Sequence, residues 1–280
     1  MLADVLRYLC CPLCESELAD VGGALRCAVG HSYDIARQGY VNMLCGARAP
    51  GTADTPEMVR ARAEFLAAGH YAPLAERVAA TARAAGSQVE GCVLDLGAGT
   101  GYHLARVLGQ LPRHVGVALD ISKHAARRAA RAHPRIGAVV ADTWRRLPVR
   151  ANSAALAVNI FAPRRAAEIH RVLRPDGCLL VVTPSPRHLA EIVAPLGLLQ
   201  VDEAKERRMS DQFAGAFTLE ARQECEYGFA PTPEDVRRLV GMGPSAWHSS
   251  AEEIRARLEK TVLPPAVTAS FVLSLYRPRR

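Results

Sequence analysis

No stretch of this 280-residue chain holds the roughly 20 consecutive apolar residues that a membrane-spanning helix needs. Cysteine is sparse, with eight residues in 280, too few for a disulfide scaffold of this size. Met1-Leu-Ala-Asp-Val-Leu-Arg7 carries an early acid and only a short apolar stretch, unlike a secretory leader. The expectation is therefore reduced thiols and a cytoplasmic location, with no membrane partner. Internal repeats and low-complexity tails are missing. Lysine is scarce: arginine supplies nearly all of the 35 positive charges, which exceed the 28 acids and leave a net charge of +7. An arginine surplus suits a phosphate-rich partner, although a generally basic Ala/Arg-rich surface would show the same composition. Hydrophobic residues make up 49%, ample for one large domain with a small appendage.

Of what is present, four residues stand out by spacing. Cys11-Pro-Leu-Cys14 is followed, after twelve residues, by Cys27-Ala-Val-Gly-His31. Three thiols and an imidazole at this spacing complete a tetrahedral set for Zn²⁺. Pro12, Gly22, Gly23 and Gly30 suit turns that aim side chains at one point. A redox Cys-x-x-Cys would open a helix after a strand, whereas this pair lies in a turn-rich segment with a matching second half. Cys10 is adjacent, but Cys11 alone gives the two-residue gap. Residues 1–34 thus read as a ribbon closed around one structural zinc by Cys11, Cys14, Cys27 and His31, a kind of module that commonly recognises a macromolecule such as RNA.

Residues 35–86 read as a helical linker: a loop over 44–56, a helix over 57–68 ended by Gly69, and an Ala-rich helix over 73–85. From residue 87 to 280 the pattern changes to short apolar runs, at 92–96, 115–119, 138–141, 156–160 and 178–183. They alternate with helices near 101–110, 122–132 and 164–173, and a further candidate follows Pro186. This predicts an α/β fold, a doubly wound Rossmann-like sheet that is mostly parallel, with one antiparallel edge strand. Thr232-Pro-Glu-Asp opens another helix, Ser249 and Ser250 cap a last one, and 267–276 reads as the final strand.

The first of these strands runs into Asp95-Leu-Gly97-Ala-Gly99-Thr-Gly101, where glycines let the backbone approach a ligand before a helix N-terminus. A dinucleotide fingerprint needs glycine at position 102, which is Tyr102. The Asp-x-Gly-x-Gly-x-Gly spacing instead resembles the first motif of S-adenosylmethionine-dependent methyltransferases. Tyr102 and His103 open the following helix and count with the cofactor set. Asp120 ends the second strand, 23 residues beyond Gly97, where a carboxylate can accept from both ribose hydroxyls. Asp142 follows the third strand, placed for the adenine amino group, with Thr143 and Trp144 beside it. Asn159-Ile-Phe-Ala-Pro163 ends the fourth strand, and Asn159 is assigned to the cofactor site. That segment is reminiscent of the Asn-Pro-Pro-aromatic loop of nucleic-acid amino methyltransferases, without its central prolines. The plainer readings are an ordinary strand–helix turn for the glycines and a Pro163-opened helix for the last segment.

These segments together resemble the bacterial large-subunit (23S) ribosomal RNA guanine-N1-methyltransferase family over nearly the whole chain, and its tylosin-resistance branch above all. The resemblance rests on the ribbon ligands, Gln38–Asn42, Met58 with Ala61-Arg62, Ala68–Tyr71, the glycine motif and Phe161–Pro163. It extends to Thr183–Leu189 and Met242–Trp247. It implies transfer of a methyl group from S-adenosylmethionine to N1 of a guanine in a hairpin loop of 23S rRNA, with macrolide (tylosin-type) resistance as a compatible role and a homodimer left open. The fold equally admits a small-molecule methyltransferase of secondary metabolism, or an RNA-binding scaffold without activity; the ribbon and the intact glycines argue against these. Guanine N1 carries a proton at neutral pH, so a base near the methyl is expected. Asp54, Glu57, His70, Asp142 and His188 are the candidates, with His188 chosen over Asp54 and alignment alone as the competing mechanism.

Overall fold

The computed structural model describes residues 2–45, 53–193, 195–198, 213–243, 251–261 and 263–279. Pro244–Trp247, Ser249 and Ser250, and most of the 44–56 loop, lie outside the described residues. The chain opens with a short helix α1 (Leu2–Val5) and a three-stranded antiparallel sheet in the order β1 (Leu18–Asp20), β2 (Ala24–Cys27), β3 (Ser32–Asp34). The large sheet follows. Its strands are β4 (Tyr40–Asn42), β5 (Cys92–Leu96), β6 (Gly116–Asp120), β7 (Ile136–Val140), β8 (Ala154–Ile160), β9 (Leu173–Pro184), β10 (Phe217–Phe229) and β11 (Val267–Pro278). They are ordered β10-β11-β9-β8-β5-β6-β7-β4.

Strands β5, β7 and β8 are buried at every residue, as expected of parallel strands covered on both faces. The antiparallel strand is β11, which pairs with β9 on one side and β10 on the other. It therefore lies one place in from the margin, and the expected edge position belongs to β10. The apolar-run reading missed β10 because every second residue from Thr218 to Gly228 is exposed and only Phe217 and Cys225 are buried. The segment expected to be a purely helical linker also differs. β4 pairs in parallel with β7, Val41 opposite Val139, and so extends the large sheet.

The helices are α2 (Pro56–Ala67), α3 (Ala72–Gly86), α4 (Tyr102–Gln110), α5 (Lys123–Ala132), α6 (Ala166–Val172), α7 (Ala190–Val193), α8 (Pro233–Gly241) and α9 (Ala251–Lys260). Two apolar clusters lie on the two faces of the sheet. One joins Phe65 of α2, Leu74 and Val78 of α3, Leu104 of α4, Ala126 of α5 and Phe271 of β11. The other joins Leu2, Val5, Leu9, Leu25 and Tyr33 of the N-terminal module to Val41, Val117, Val139, Leu147 and Val149. The ribbon therefore shares its core with the sheet. A methyl placed on Gly137 of β7 would lie 2.1 Å from Val5 Cγ2, a measure of how tightly α1 is seated. Truncating a fully buried ring such as Phe65 to alanine costs about 3–5 kcal/mol.

Strand order reverses between β5 and β8. From β5 the chain winds through α4, β6, α5 and β7 to one side, then returns to place β8 on the other. The crevice at the carboxyl ends of β5 and β8 is where ligands bind in sheets of this class.

Candidate active site and metal centre

In the ribbon, Cys27 ends β2 and His31 precedes β3, with Gly30 at φ +96° turning the chain between them. Cys11 and Cys14 lie in the turn after Leu9. Cys11 Sγ and Cys27 Sγ each lie 3.4 Å from His31 Nδ1, and Cys14 Sγ lies 3.6 Å from Cys27 Sγ. All four donor atoms fall within 4.8 Å of one another. Metal–ligand bonds of about 2.0–2.3 Å in a tetrahedron require donor–donor edges of roughly 3.5–3.8 Å, so the set fits one zinc ion. The set does not include Cys10, whose thiol is buried and pushed up by desolvation. Tyr33 Oη stands 3.1 Å from Cys11 Sγ and Ser16 Oγ 3.3 Å from Cys14 Sγ, polar neighbours that orient thiolate ligands. The Ser16 hydroxyl and N–H hold the Cys14 thiol down at about 6.

At the switch point, β5 ends in a turn whose three glycines all have positive φ. Two of them allow no side chain. A Cβ on Gly97 would lie 2.4 Å from Ala162 Cβ, and one on Gly101 would lie 2.9 Å from Ala129 Cα. Asp120 at the end of β6 closes the turn: Gly99 N–H donates to its Oδ2 and Ser122 N–H to its Oδ1, both at 2.8 Å. Burial pushes the Asp120 carboxyl upward, and these two amides oppose the shift. Asp142, two residues past β7, sits beside it through the bond from Ala141 N to Asp120 O. Its Oδ1 accepts from Trp144 N–H at 2.9 Å, Thr143 is half-buried between them, and the Trp144 ring is exposed.

Two buried groups are left over. The Asp95 carboxyl is nearly inaccessible and has no hydrogen-bond partner among the described residues; burial, then the neighbouring Asp120, pushes it up to about 7. His103 Nδ1, in the first turn of α4, is buried without a partner, and burial holds that ring down at about 4. Tyr102 beside it is half-buried under the Arg106 guanidinium. An acid lacking a cation beside a close-approach glycine turn fits the amino-acid end of S-adenosylmethionine, which carries an ammonium.

Three of the residues expected here are held by partners within the protein. Asn159 is fully buried and turned inward: its amide donates to Leu96 O at 3.3 Å and Pro163 O at 3.1 Å, and its Oδ1 accepts from Arg164 at 3.4 Å. These bonds brace the ends of β5 and β8, as a buried amide requires local partners. Asp54 is ion-paired to Arg62, and its backbone carbonyl accepts from Ser122 Oγ at 2.7 Å, so it closes over Gly99 and Asp120. His188 lies behind the crevice. Its Nδ1 accepts from Ser270 N–H at 3.3 Å, its Nε2 faces Tyr71 Oη at 3.1 Å, and burial holds its ring down at about 4. Among the other candidates, His70, in the turn between α2 and α3, has its Nε2 3.2 Å from Asp235 of α8, and its ring packs on Phe229 at the end of β10.

Three participants were missed as site residues. Arg62 reaches from α2 to Asp54 and, at 2.8 Å, to Met242 O. Ser122 caps α5 and ties Asp120 to Asp54. Phe161 sits at φ +54°, 45% exposed, beside the Ala162 that meets Gly97, with its ring 5.4 Å from Phe271. The Phe271 ring in turn lies 4.5 Å from His188. The signal for Phe161 was in the sequence, an aromatic just past a strand end; its strained backbone was not.

The comparisons with known proteins agree with this geometry. A family model described as RlmA, N-terminal, a zinc ribbon, matches residues 9–46, and one described as a methyltransferase domain matches residues 93–177. A 23S rRNA (guanine(748)-N(1))-methyltransferase of Streptomyces fradiae is 48% identical, with 99% of each chain covered. A Micromonospora griseorubida protein named for the same 23S rRNA guanine-N(1) chemistry is 50% identical over 99% of this chain and all of its own. The crystal structure of the YcgJ protein from Bacillus subtilis shares the fold, with a TM-score of 0.51 at 14% identity over 72% of this chain and 98% of that one.

Proposed function

The chain belongs to the 23S rRNA (guanine-N1)-methyltransferases, which depend on S-adenosylmethionine, and we propose that it methylates N1 of guanine 748, presented in a hairpin loop. One observation carries the site assignment: the glycine turn and the exposed Phe161 adjoin at the switch point, through Gly97 and Ala162. A cofactor's amino-acid end and an unstacked base can therefore meet there. Bound S-adenosylmethionine supplies an electrophilic sulfonium methyl.

In this reading the chain's residues bind and align. Asp95 holds the ammonium, the 97–101 turn lies along the amino-acid end, Asp120 takes the ribose hydroxyls and Asp142 the adenine amino group. Phe161 stacks the target guanine, which must leave its loop stack to be reached. Asp54 and His188 act by position: the first is neutralised by Arg62, and the second is a weak base that supports Phe271 behind the platform. The N1 proton leaves to water, and catalysis is mostly proximity and alignment of the methyl with N1.

Reverse transcription through 23S rRNA from cells with and without the protein tests the substrate. A stop at guanine 748 that depends on the protein is expected, together with a raised tylosin tolerance. Robust methylation of small acceptors with no such stop would favour the small-molecule alternative.

A further inference from the structure

The charge of this chain is unevenly placed. Residues 1–34, the ribbon expected to recognise RNA, contain two cations, Arg7 and Arg26, against five acids, Asp4, Glu15, Glu17, Asp20 and Asp34. Two of those acids face the catalytic domain: Glu15 pairs with Arg146, and Glu17 with Arg150 at 2.7 Å. The ribbon is thus net acidic and uses acids to seat itself. Residues 123–135, by contrast, hold Lys123, Arg127, Arg128, Arg131 and Arg135 and no acid.

Within that run α5 is sharply two-sided. Ala125, Ala126, Ala129 and Ala130 are buried against the sheet, while Lys123, Arg127, Arg128 and Arg131 are exposed. None of these four takes part in a hydrogen bond or ion pair through its side chain among the described residues. Other arginines are employed: Arg135 caps the carbonyls of Leu111 and Pro112, Arg171 holds Glu168, and Arg277 pairs with Glu220. Lys123, Arg127 and Arg131 recur every fourth residue, so they form one column with neighbours about 5–6 Å apart. Like charges at that spacing oppose helix formation, so the column is held at a cost to the helix. Exposed Arg60 of the adjoining α2 adds a cation beside the column; Glu57 is the acid that lies near it and His124.

The column also points somewhere. α5 begins at Ser122, whose N–H and hydroxyl bond Asp120 and Asp54, and Ala129 packs under Gly101. Lys123, exposed one residue past that cap, marks the crevice end of the column, and Arg131 lies about 12 Å further along the helix axis.

We propose that the exposed face of α5 is the docking surface for the phosphate backbone of the substrate RNA, with the strand running along Lys123, Arg127 and Arg131 into the crevice. This rests on the RNA reading above. Charge complementarity assigns phosphate contact to this face and leaves the acidic ribbon a shaping role.

The test uses the full-length protein with its zinc and a 23S rRNA hairpin carrying the target guanine. RNA affinity is measured across a salt series for wild type, for K123Q/R127Q/R131Q, and for a control, R37Q/R83Q/R222Q, that removes three exposed arginines elsewhere. The column variant should lower the slope of log affinity against log salt by about 2–3 and raise KM for RNA at least tenfold, with S-adenosylmethionine affinity and kcat at saturating RNA unchanged. R127K/R131K should restore the slope, and R131Q alone, furthest from the site, should lower it by about 1. Wild-type slope and KM in both Gln variants, or an equal loss in the control, would overturn the proposal. RNA that wild type neither binds nor methylates would overturn the functional reading itself.

Discussion

At the scale of the residue, the site turns on atoms that allow no substitute. Gly97→Ala drives a methyl to 2.4 Å from Ala162 Cβ at a positive φ, so S-adenosylmethionine binding should be lost while the fold persists; calorimetry and a thermal melt decide this. Asp95 yields a prediction in pH. Its folded pKa, about 7, lies above the usual carboxylate value, so its contribution to stability is present below about pH 4 and is lost as pH rises through 7. An ammonium brought against it reverses the shift, so cofactor binding near pH 6.5 should release up to one proton. Calorimetry in buffers of different ionisation enthalpy would show the release in wild type and not in Asp95→Asn. For the transfer step, His188→Gln and Asp54→Asn should keep the wild-type pH profile in single turnovers, whereas loss of a rising limb would make either a base. Phe161→Ala should raise KM for RNA by about 5–150-fold, the equivalent of 1–3 kcal/mol of stacking, and leave cofactor affinity alone. The glycines, Asp95 and the acids at the ends of β6 and β7 could be named from sequence because a turn and two strand ends place them. Asn159 could not be oriented that way, since the direction of a buried amide depends on carbonyls at Leu96 and Pro163, which only folding brings near it.

At the scale of the element, the ribbon shows how far a motif carries. Four ligands at the right spacing are a local matter, because two short turns and a hairpin bring them together. What surrounds them is not local. Tyr33, Leu9 and Val5 pack into the same apolar cluster as Val117, Val139 and Val149 of the catalytic domain. Separate modules would melt separately when zinc is removed; this arrangement should not. Cys14→Ala should abolish zinc binding and lower a single calorimetric transition by more than 5 °C, since losing a structural metal removes several kcal/mol, each worth about 2–4 °C in a chain of this size. Two resolved transitions, with the upper one unmoved, would refute the shared core. Strands β4 and β10 escaped the sequence for a related reason. Both are margins of the sheet, one only three residues long and the other solvated along one face, so neither shows the unbroken apolar run by which the inner strands are recognised.

At the scale of the whole molecule, the two apolar clusters join the N-terminal module, α2, α3 and the sheet. Residues 87–280 alone would lose β4, α2 and α3, and with them Phe65, Leu74, Val78 and Ala82 from one cluster. That fragment should be recovered aggregated or without a cooperative melt; a soluble fragment with wild-type cofactor affinity would show that the linker segment is dispensable. The sequence by itself determined the zinc ligands, the alternation of strand and helix, the glycine turn and its acids, and the family those features resemble. Each depends on spacing within a few residues, or on an apolar run that needs no partner to be seen. The tertiary structure alone decided that Asp54 is spent on Arg62, that His188 stands behind an aromatic layer, that Phe161 is presented beside Gly97, and that the ribbon and the sheet have one core. Those outcomes join residues up to 180 positions apart, as in the bond from Arg62 to Met242. Such pairings are chosen by the burial and hydrogen bonding of the chain as a whole, which no local pattern encodes.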